Sequence, residues 1–409
     1  MTSKALKTMS YGEFVTLMAL MMSLVALSID SMLPALSQIG RDLHVLEAND
    51  NQFIIAFLFL GFALGQMIYG PLSDSFGRKP AIYVGFILVI IGCFMSIFCQ
   101  TMTGMLSARF IQGLGLAAPR IISIALVRDQ YQGNEMAKVM SFMMSIFILV
   151  PSIAPALGQG ILLISNWRMI FVFILVLTLI MLVWFSLRQQ ETLPIEQRTP
   201  FSAAHIWKNL RQICSNRMVM IYTVMTGFVF SSFLGYLNSV QQIFQVQYGL
   251  IDMFPVYFAV LALAIGAASF TNAKLVMHFG MHHMARYALF TVSTLSILFF
   301  IVAYAFSGHP TLWMLMLYLM IVLFCFGILM GNLNALAMQP LGKMAGIGAS
   351  VVGAISTFIS VPFGIIIGQS YDGTVLPLIA GFAVFSALAL LMMRWVNAQK
   401  STSKETTDE

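Results

Sequence analysis

Charged side chains are scarce in this sequence, because Asp, Glu, Lys and Arg together make up only 9% of its 409 residues while 59% are hydrophobic. A soluble protein of this length carries far more charge on its surface. The scarcity excludes a soluble globular protein and indicates one that lies in lipid. Cysteine is scarce too. The four cysteines lie in apolar runs or in one polar loop, so we expect neither a disulfide framework nor a thiolate metal site.

Twelve apolar runs are long enough to cross a bilayer, since a spanning helix needs about 20 mostly apolar residues. The first run is too long for a signal-peptide core and has no clear cleavage site, so we expect it to remain in the mature protein. The sequence therefore predicts an all-α membrane protein with 12 transmembrane helices. The predicted spans are 12–36, 50–72, 80–100, 104–128, 136–162, 167–187, 217–243, 250–273, 284–306, 311–338, 345–370 and 374–396.

Lys and Arg residues are distributed unequally between the two ends of these spans. Arg41 and Arg168 lie on the far side, Arg109 and Arg120 lie inside the fourth span, and all the others lie on the side of the N-terminus. The positive-inside rule therefore places both termini in the cytoplasm. Because the basic residues are dispersed among short loops, the net charge of +6 reflects topology, and we expect no nucleic-acid partner.

The longest polar connection separates the first six spans from the last six. It contains Pro194, Pro200 and a weakly amphipathic piece around Ile206 and Trp207. The C-terminal tail is short and polar, which is typical of disorder. We therefore predict an N-terminal six-helix bundle over 1–187, a cytoplasmic linker over 188–216, a C-terminal six-helix bundle over 217–398 and a disordered cytoplasmic tail over 399–409.

The connection between the second and third spans carries Gly70, Asp74, Gly77 and Arg78 in a fixed order, within the letters GPLSDSFGRKP. The pattern predicts that the second helix ends near Gly70-Pro71 and that a tight charged turn follows. A soluble turn reproduces parts of this order. The full order between two membrane-length apolar runs is a far more specific motif than any of those parts.

Three charged residues, Asp30, Arg109 and Arg120, lie inside predicted spans, where each costs about 2.5–3.5 kcal/mol unless it is paired or wetted. Counting 1.5 Å per residue from the cytoplasmic edges places Asp30 about 25 Å and Arg109 about 28 Å deep, so the two lie at similar heights. Asp30 is either a proton-titrating group or one half of an ion pair that only locks two helices together. Arg109 is either a functional partner or a residue that merely neutralises Asp30.

Arg120 follows Arg109 by 11 positions, close to three helical turns, so both face the same way together with Gly113. Its side chain either enters a central cavity as an anion-attracting group or snorkels toward the cytoplasmic surface. The spacing alone leaves both interpretations open.

Two other spans carry residues that are unusual in an apolar helix. Pro151, Pro155 and Gly158 in the fifth span predict a bent helix with a close-packed face. Amide side chains in the seventh and tenth spans either line a cavity or join helices. In the seventh they form one polar stripe at helical spacing. These amides are Asn238, Gln241, Gln242 and Gln245 in the seventh span and Asn332 in the tenth.

Several of these motifs resemble one family. The Gly61–Pro80 stretch resembles the loop between helices two and three of the major facilitator superfamily of transporters. Together with Ser28–Leu36, Arg109–Gly113 and Val127–Asp129, it makes the N-terminal half look like the drug:proton antiporters of the bicyclomycin and chloramphenicol resistance (Bcr/CflA) branch. The helix-five prolines and glycines match the Gly-Pro-rich motif of facilitator antiporters in part.

This resemblance implies the major facilitator fold, with two six-helix pseudo-symmetric halves and the substrate site between them. Asp30 would be the carboxylate whose protonation is coupled to substrate release, and Arg109 would tune it. A conformational latch on the cytoplasmic side would comprise Gly70, Asp74, Gly77, Arg78, Arg128 and Asp129. We place in the substrate cavity Asp30, Arg109, Gly113, Arg120, Asn238, Gln241, Gln242, Gln245 and Asn332.

The implied function is proton-coupled efflux of drugs or other small amphipathic molecules across the bacterial inner membrane by alternating access. By fold analogy the protein is a monomer, with lipid, protons and a small-molecule substrate as partners and no cofactor or metal. Two alternatives stay open: a dedicated exporter of an anionic metabolite or siderophore that uses Arg109 and Arg120, and a proton-coupled importer. The sequence shows no nucleophile with its base and no metal-ligand spacing, so we expect no enzyme.

Overall fold

The computed structural model describes residues 9–199 and 203–405. Within these residues the chain is helical, with short connections, 3-10 turns and one π-helical segment, and it contains no β-strand. The chain divides into two compact units, Met1–Leu210 and Arg211–Glu409.

The first unit holds the helices of the first six spans. They are α1 (Tyr11–Asp30), α2 (Leu36–Asp42), α3 (Phe53–Phe76), α4 (Arg78–Phe98), α5 (Met102–Gln130), α6 (Gly133–Ile164) and α7 (Arg168–Arg188). Polar side chains cap the N-termini of α1 and α5. The Thr101 hydroxyl, for example, accepts a hydrogen bond from the Gly104 N–H and so caps α5.

The second unit holds the helices of the last six spans. They are α9 (Arg217–Gln241), which continues into a π-helix (Gln242–Gln247), α10 (Phe254–Phe279), α11 (Met281–Ala305), α12 (Leu312–Met338), α13 (Ala345–Gln369) and α14 (Leu376–Glu405). A further helix, α8 (Ala203–Ser215), lies across the boundary of the two units.

Twelve helical segments in the described residues are long and apolar enough to cross a membrane. This confirms the predicted fold class and number of spans. The predicted end of the second helix is wrong, because α3 runs through Gly70-Pro71 and ends only at Phe76. Pro71 removes one backbone hydrogen bond, which the helix tolerates here. The chain turns instead at Gly77, whose φ of 105° favours glycine.

The predicted linker contains regular structure. Its amphipathic piece at Ile206 and Trp207 belongs to α8, and Pro200 lies outside the described residues. At the other end of the chain, α14 continues to Glu405 and so enters the segment predicted as a disordered tail, whose last residues, 406–409, lie outside the described residues. The exact limits of bundles and linker stay predictions.

The backbones of α3 and α5 approach each other closely. A methyl group on Gly61 would collide with the carbonyl oxygen of Phe110, and one on Gly113 would collide with that of Leu58. Glycine at both positions permits the approach, as is common between membrane helices. Gly113, predicted in the substrate cavity, therefore lies in a helix–helix contact.

Candidate functional site

Asp30 is the last residue of α1, and its side chain is buried, with 5% of the residue exposed. The helix ends there because Pro34, four residues later, has no N–H to donate to the Asp30 carbonyl. The chain continues as a 3-10 turn over Leu33–Ala35. Among the described residues, no group forms a hydrogen bond or ion pair with the Asp30 carboxylate. A buried carboxylate thus lies at a break in a membrane-spanning segment.

Helix α6 packs directly against this break. A methyl group on Gly158 would collide with the carbonyl oxygen of Ser31, the residue after Asp30. Helix α6 runs through Pro151 and Pro155 without ending, so both prolines lie inside the helix as predicted from the sequence. Gly158 is buried, whereas a methyl group added to Gly160 would have no other atom within 4 Å.

We expect the Gly158→Ala substitution to destabilise the protein, because either Ser31 or α6 must move to admit the methyl group. The free energy of unfolding should fall by about 1–3 kcal/mol, the usual cost of overpacking. The Gly160→Ala substitution is the matched control, since it adds the same methyl group to the same helix in open space. Thermal unfolding of the two purified variants checks the prediction, and equal melting temperatures would contradict it.

Arg109 is fully buried, and its guanidinium group joins four helices. It donates hydrogen bonds to the carbonyl oxygens of Ser28 in α1 (2.8 Å) and Ile54 in α3 (3.3 Å), and to the Gln112 side chain in α5 (2.5 Å). The group also lies 5.6 Å from the ring centre of Phe171 in α7. The charge is thus stabilised by carbonyl dipoles and by an aromatic ring.

Arg109 forms no ion pair with Asp30, so the ion pair considered from their similar depths is absent in this structure. The reason is local, because three neutral acceptors already occupy the guanidinium fork. Arg109 reaches the Asp30 region only through the backbone of Ser28, two residues before the carboxylate. Its predicted role in tuning Asp30 stays a prediction.

Arg120 is half-buried, and its guanidinium carbon lies between two aromatic rings, 5.8 Å from the centre of Phe62 and 5.2 Å from that of Phe147. Such contacts stabilise a cation partly shielded from water. Within residues 9–199 and 203–405 it has no hydrogen bond or ion pair. Its five N–H donors therefore meet no acceptor among the described residues.

Arg78 lies at the centre of the predicted latch and is 3% exposed. Its side chain donates to Asp74 (2.5 Å) and Ser73 (2.8 Å) on α3 and to Asp129 (2.9 Å) at the end of α5. Gly70 contributes its carbonyl oxygen, which accepts a hydrogen bond from the Ser73 hydroxyl. One buried arginine thus ties two helix ends together.

The neighbour of Asp129, Arg128, does not join this cluster. Arg128 is exposed and forms no hydrogen bond or ion pair with the part of the chain that the structure describes. Consecutive residues of a helix point about 100° apart, which is why Asp129 faces Arg78 and Arg128 does not. The structure adds instead a residue that the sequence analysis missed, Glu191, which accepts hydrogen bonds from the backbone of Arg78 and Lys79.

The amide side chains of the second unit are mostly engaged with neighbouring helices. Asn238 is 1% exposed and donates to the Gly364 carbonyl in α13 at 3.0 Å. Asn332 donates to the Asn272 side chain in α10 at 2.6 Å. The Oδ1 atom of Asn238 is buried and has no hydrogen-bond partner among the described residues. An acceptor for a ligand or a water molecule therefore remains at this position.

The polar stripe predicted in the seventh span is interrupted. Gln241 ends α9 and donates to the Gln245 side chain at 2.6 Å, while Gln242 begins the π-helix. A π-helix has a wider turn than an α-helix, so side chains after Gln241 no longer follow the helical spacing assumed from the sequence. The Nε2 atom of Gln245 is buried without a partner in the described part of the chain.

Comparison with known proteins fits this architecture. Residues 18–368 match the Major Facilitator Superfamily. The chain belongs to the major facilitator superfamily. It is 28% identical to the uncharacterized MFS-type transporter YdgK of Bacillus subtilis (strain 168), over 83% of this chain and 84% of that protein. It is 25% identical to a bicyclomycin resistance protein homolog of Haemophilus influenzae, over 96% of this chain and 98% of that one.

A solved structure shows the same fold. The xylose transporter XylE from E. coli, in a partially occluded inward open conformation, superposes with a TM-score of 0.69 at 12% identity, covering 93% of this chain and 96% of that one. The family match over residues 18–368 and the twelve candidate spans of the described residues identify the protein as a multi-pass membrane transporter of this superfamily and not an enzyme. The Haemophilus relative carries the name of the branch that the sequence motifs resemble, and assignment of this chain to that branch stays a prediction. Among the described residues, no group of three or more His, Cys, Asp or Glu is arranged to hold a metal ion.

Proposed function

We propose that this transporter exports drugs or other small amphipathic molecules across the bacterial inner membrane in exchange for protons, by alternating access. The observation that carries the proposal is Asp30, a buried carboxylate that no cation of the described chain neutralises. The name of the Haemophilus relative, a bicyclomycin resistance protein homolog, supports export of drugs.

Asp30 couples drug export to proton import because its carboxylate binds either a proton or the substrate, but not both at once. An ionised carboxylate in a span costs several kcal/mol, so it takes up a proton whenever no other group compensates its charge. A substrate that binds beside Asp30 displaces this proton. Inward movement of one proton through the membrane potential supplies about 2.3 kcal/mol per 100 mV for each export step.

The remaining predicted residues have supporting roles in this proposal. Arg78 with Asp74 and Asp129 latches helix ends between transport states. In the second unit, the Asn238 Oδ1 and Gln245 Nε2 atoms, which lack partners among the described residues, offer an acceptor and a donor to substrate. We place both termini in the cytoplasm, as the distribution of Lys and Arg residues favours.

Everted membrane vesicles test the proposal, because their cytoplasmic face is outside. Vesicles with wild-type protein should accumulate drug when an inward-acid proton gradient is imposed and should lose it when the gradient is collapsed. Vesicles without the protein are the control. Accumulation only in right-side-out vesicles, and only under the opposite gradient with the acid side outside, would instead establish the proton-coupled importer that the sequence leaves open.

Arg120 favours a second candidate function, export of an anionic metabolite or siderophore. Its guanidinium group lies between Phe62 and Phe147, and no carboxylate of the described residues pairs with it. A carboxylate-bearing substrate would supply the missing bidentate partner.

This second function predicts a charge-selective effect of the Arg120→Gln substitution. Efflux of an anionic probe should fall at least about tenfold, while efflux of a neutral drug should change less than about twofold, because only the anion loses a charge-assisted bond. The Arg120→Lys variant keeps the charge without the planar guanidinium fork. Its efflux of the anionic probe should therefore lie between that of wild type and that of Arg120→Gln. An equal loss for both probes would show that Arg120 serves packing and would remove the anion exporter from consideration.

A further inference from the structure

The first turn of α4 carries an unfavourable arrangement of charge. The helix begins with Arg78 and Lys79, and its first turn contains no acidic residue. The N-terminus of a helix bears a partial positive charge and unsatisfied N–H groups, so two cations there are destabilising unless an anion compensates them. The residue before the helix, Gly77, has no side chain to act as a cap. Asp74 and Asp129 already pair with the Arg78 side chain, so the anion that accepts from the first N–H groups of α4 must come from elsewhere in the chain.

Glu191 supplies this anion from the start of the predicted linker, more than 100 positions further along the chain. Its Oε1 atom accepts a hydrogen bond from the Arg78 N–H at 3.0 Å, and its Oε2 atom accepts one from the Lys79 N–H at 2.9 Å. The N–H groups of Thr192 and Leu193 also donate to Oε1, at 3.0 and 3.1 Å. One carboxylate thus caps the N-terminus of α4 and also accepts hydrogen bonds from the next two residues of the linker.

Lys79 makes a second contact between the start of α4 and the segment around the end of α7. Its ammonium group donates to the carbonyl oxygens of Ser186 (3.2 Å) and Gln189 (2.6 Å), at the C-terminal end of α7. Carbonyl groups there are unsatisfied by the helix and favour a cation. The start of α4 and the end of α7 therefore cap each other.

Two further hydrogen bonds hold the linker start against the latch residues. The Thr192 hydroxyl donates to Asp129 at 2.9 Å, sharing the oxygen that binds Arg78. The Thr199 N–H donates to the Asp74 carbonyl oxygen at 3.1 Å. A methyl group on Gly77 would lie 2.7 Å from the Glu191 carboxylate, so glycine is required for the approach as well as for its positive φ.

From these contacts we infer that Glu191 is a positioning residue of the transport cycle. It fixes the start of α4, and thereby holds Arg78 where it bridges Asp74 and Asp129. The linker segment 191–199 is then part of the latch and is released when the latch opens. The inference rests on the proposed function for its role in transport, while the attachment of the linker is independent of any substrate.

Limited proteolysis of the purified protein tests the attachment. Trypsin cleavage after Arg198, mapped by mass spectrometry, should be about fivefold faster in the Glu191→Gln variant than in wild type, because the segment detaches more often. The Glu196→Gln variant is the matched control. Glu196 is an exposed carboxylate of the same segment, without a hydrogen bond or ion pair to the described residues. The Thr192→Val variant should also accelerate cleavage, and it serves if Glu191→Gln does not fold. Cleavage at the wild-type rate in the folded variants would overturn the inference.

Transport kinetics test the positioning role. We expect Glu191→Gln to lower kcat about fivefold with KM unchanged, since it alters a conformational step and leaves the substrate contacts intact. In an Asp129→Asn background the same substitution should have little further effect, because both act through Arg78. If the two substitutions instead lower kcat by independent factors that multiply, Glu191 does not act through Arg78 and its positioning role is overturned. If wild-type vesicles move no drug, the proposed function fails, and the proteolysis comparison still decides whether Glu191 holds the linker.

Discussion

Replacing Asp30 by Asn is expected to abolish proton-driven efflux, reducing drug accumulation in everted vesicles to that of vesicles without the protein. Asn has nearly the shape of Asp and fits the same buried position at the end of α1. It has no titratable proton, so the step that exchanges a proton for substrate is lost. Drug binding itself should persist, because only the coupling group has changed.

The matched control is the Asp50→Asn substitution in the same unit. Asp50 is half-exposed, and the described residues form no ion pair with its side chain. Its loss should leave efflux within about twofold of wild type, as for most surface substitutions. If Asp30→Asn retains proton-driven efflux while the control behaves as expected, Asp30 is not the coupling residue.

The Arg109→Lys substitution is expected to cause the largest loss of stability among the changes considered. Lys keeps the charge but cannot reach the Ser28 and Ile54 carbonyl oxygens and Gln112 together, so buried acceptors are left without donors. The free energy of unfolding should fall by about 3 kcal/mol or more, because the lysine charge is also incompletely compensated. Thermal unfolding in detergent measures the effect.

A control for Arg109→Lys is the Arg41→Lys substitution, at an exposed position of α2 that should show no change in melting temperature. The outcome separates two roles for Arg109. A large fall in melting temperature indicates that Arg109 holds α1, α3, α5 and α7 together. An unchanged melting temperature with lost drug-dependent proton release would contradict the structural role and favour direct tuning of Asp30.

The number and type of helices could be predicted from the sequence because lipid imposes a length on every apolar run. The end of α3 could not. Gly70-Pro71 breaks helices in water, whereas α3 continues to Phe76 and turns at Gly77. The sequence rule weighs the local residues, while the helix is stabilised by packing against neighbouring spans.

The charged residues of the candidate site could be predicted from the sequence, but their hydrogen-bond partners could not. Asp30, Arg78 and Arg109 are identified by their cost in lipid or by a motif. The acceptors of Arg109 are backbone carbonyl groups, which every residue carries and which no motif marks. Glu191 was missed for a different reason, since its contact with α4 joins distant parts of the chain. A signal existed in the two cations that begin α4 without an acidic residue.

The most direct test of the central claim is drug-induced proton release from the purified protein in detergent, comparing wild type with Asp30→Asn over neutral, cationic and anionic compounds. We predict that at least one class of compound releases protons from wild type and that the same compound, although still bound, releases none from the variant. Equal release from both proteins, or binding to wild type without any release, would contradict Asp30 as the site where substrate and proton compete.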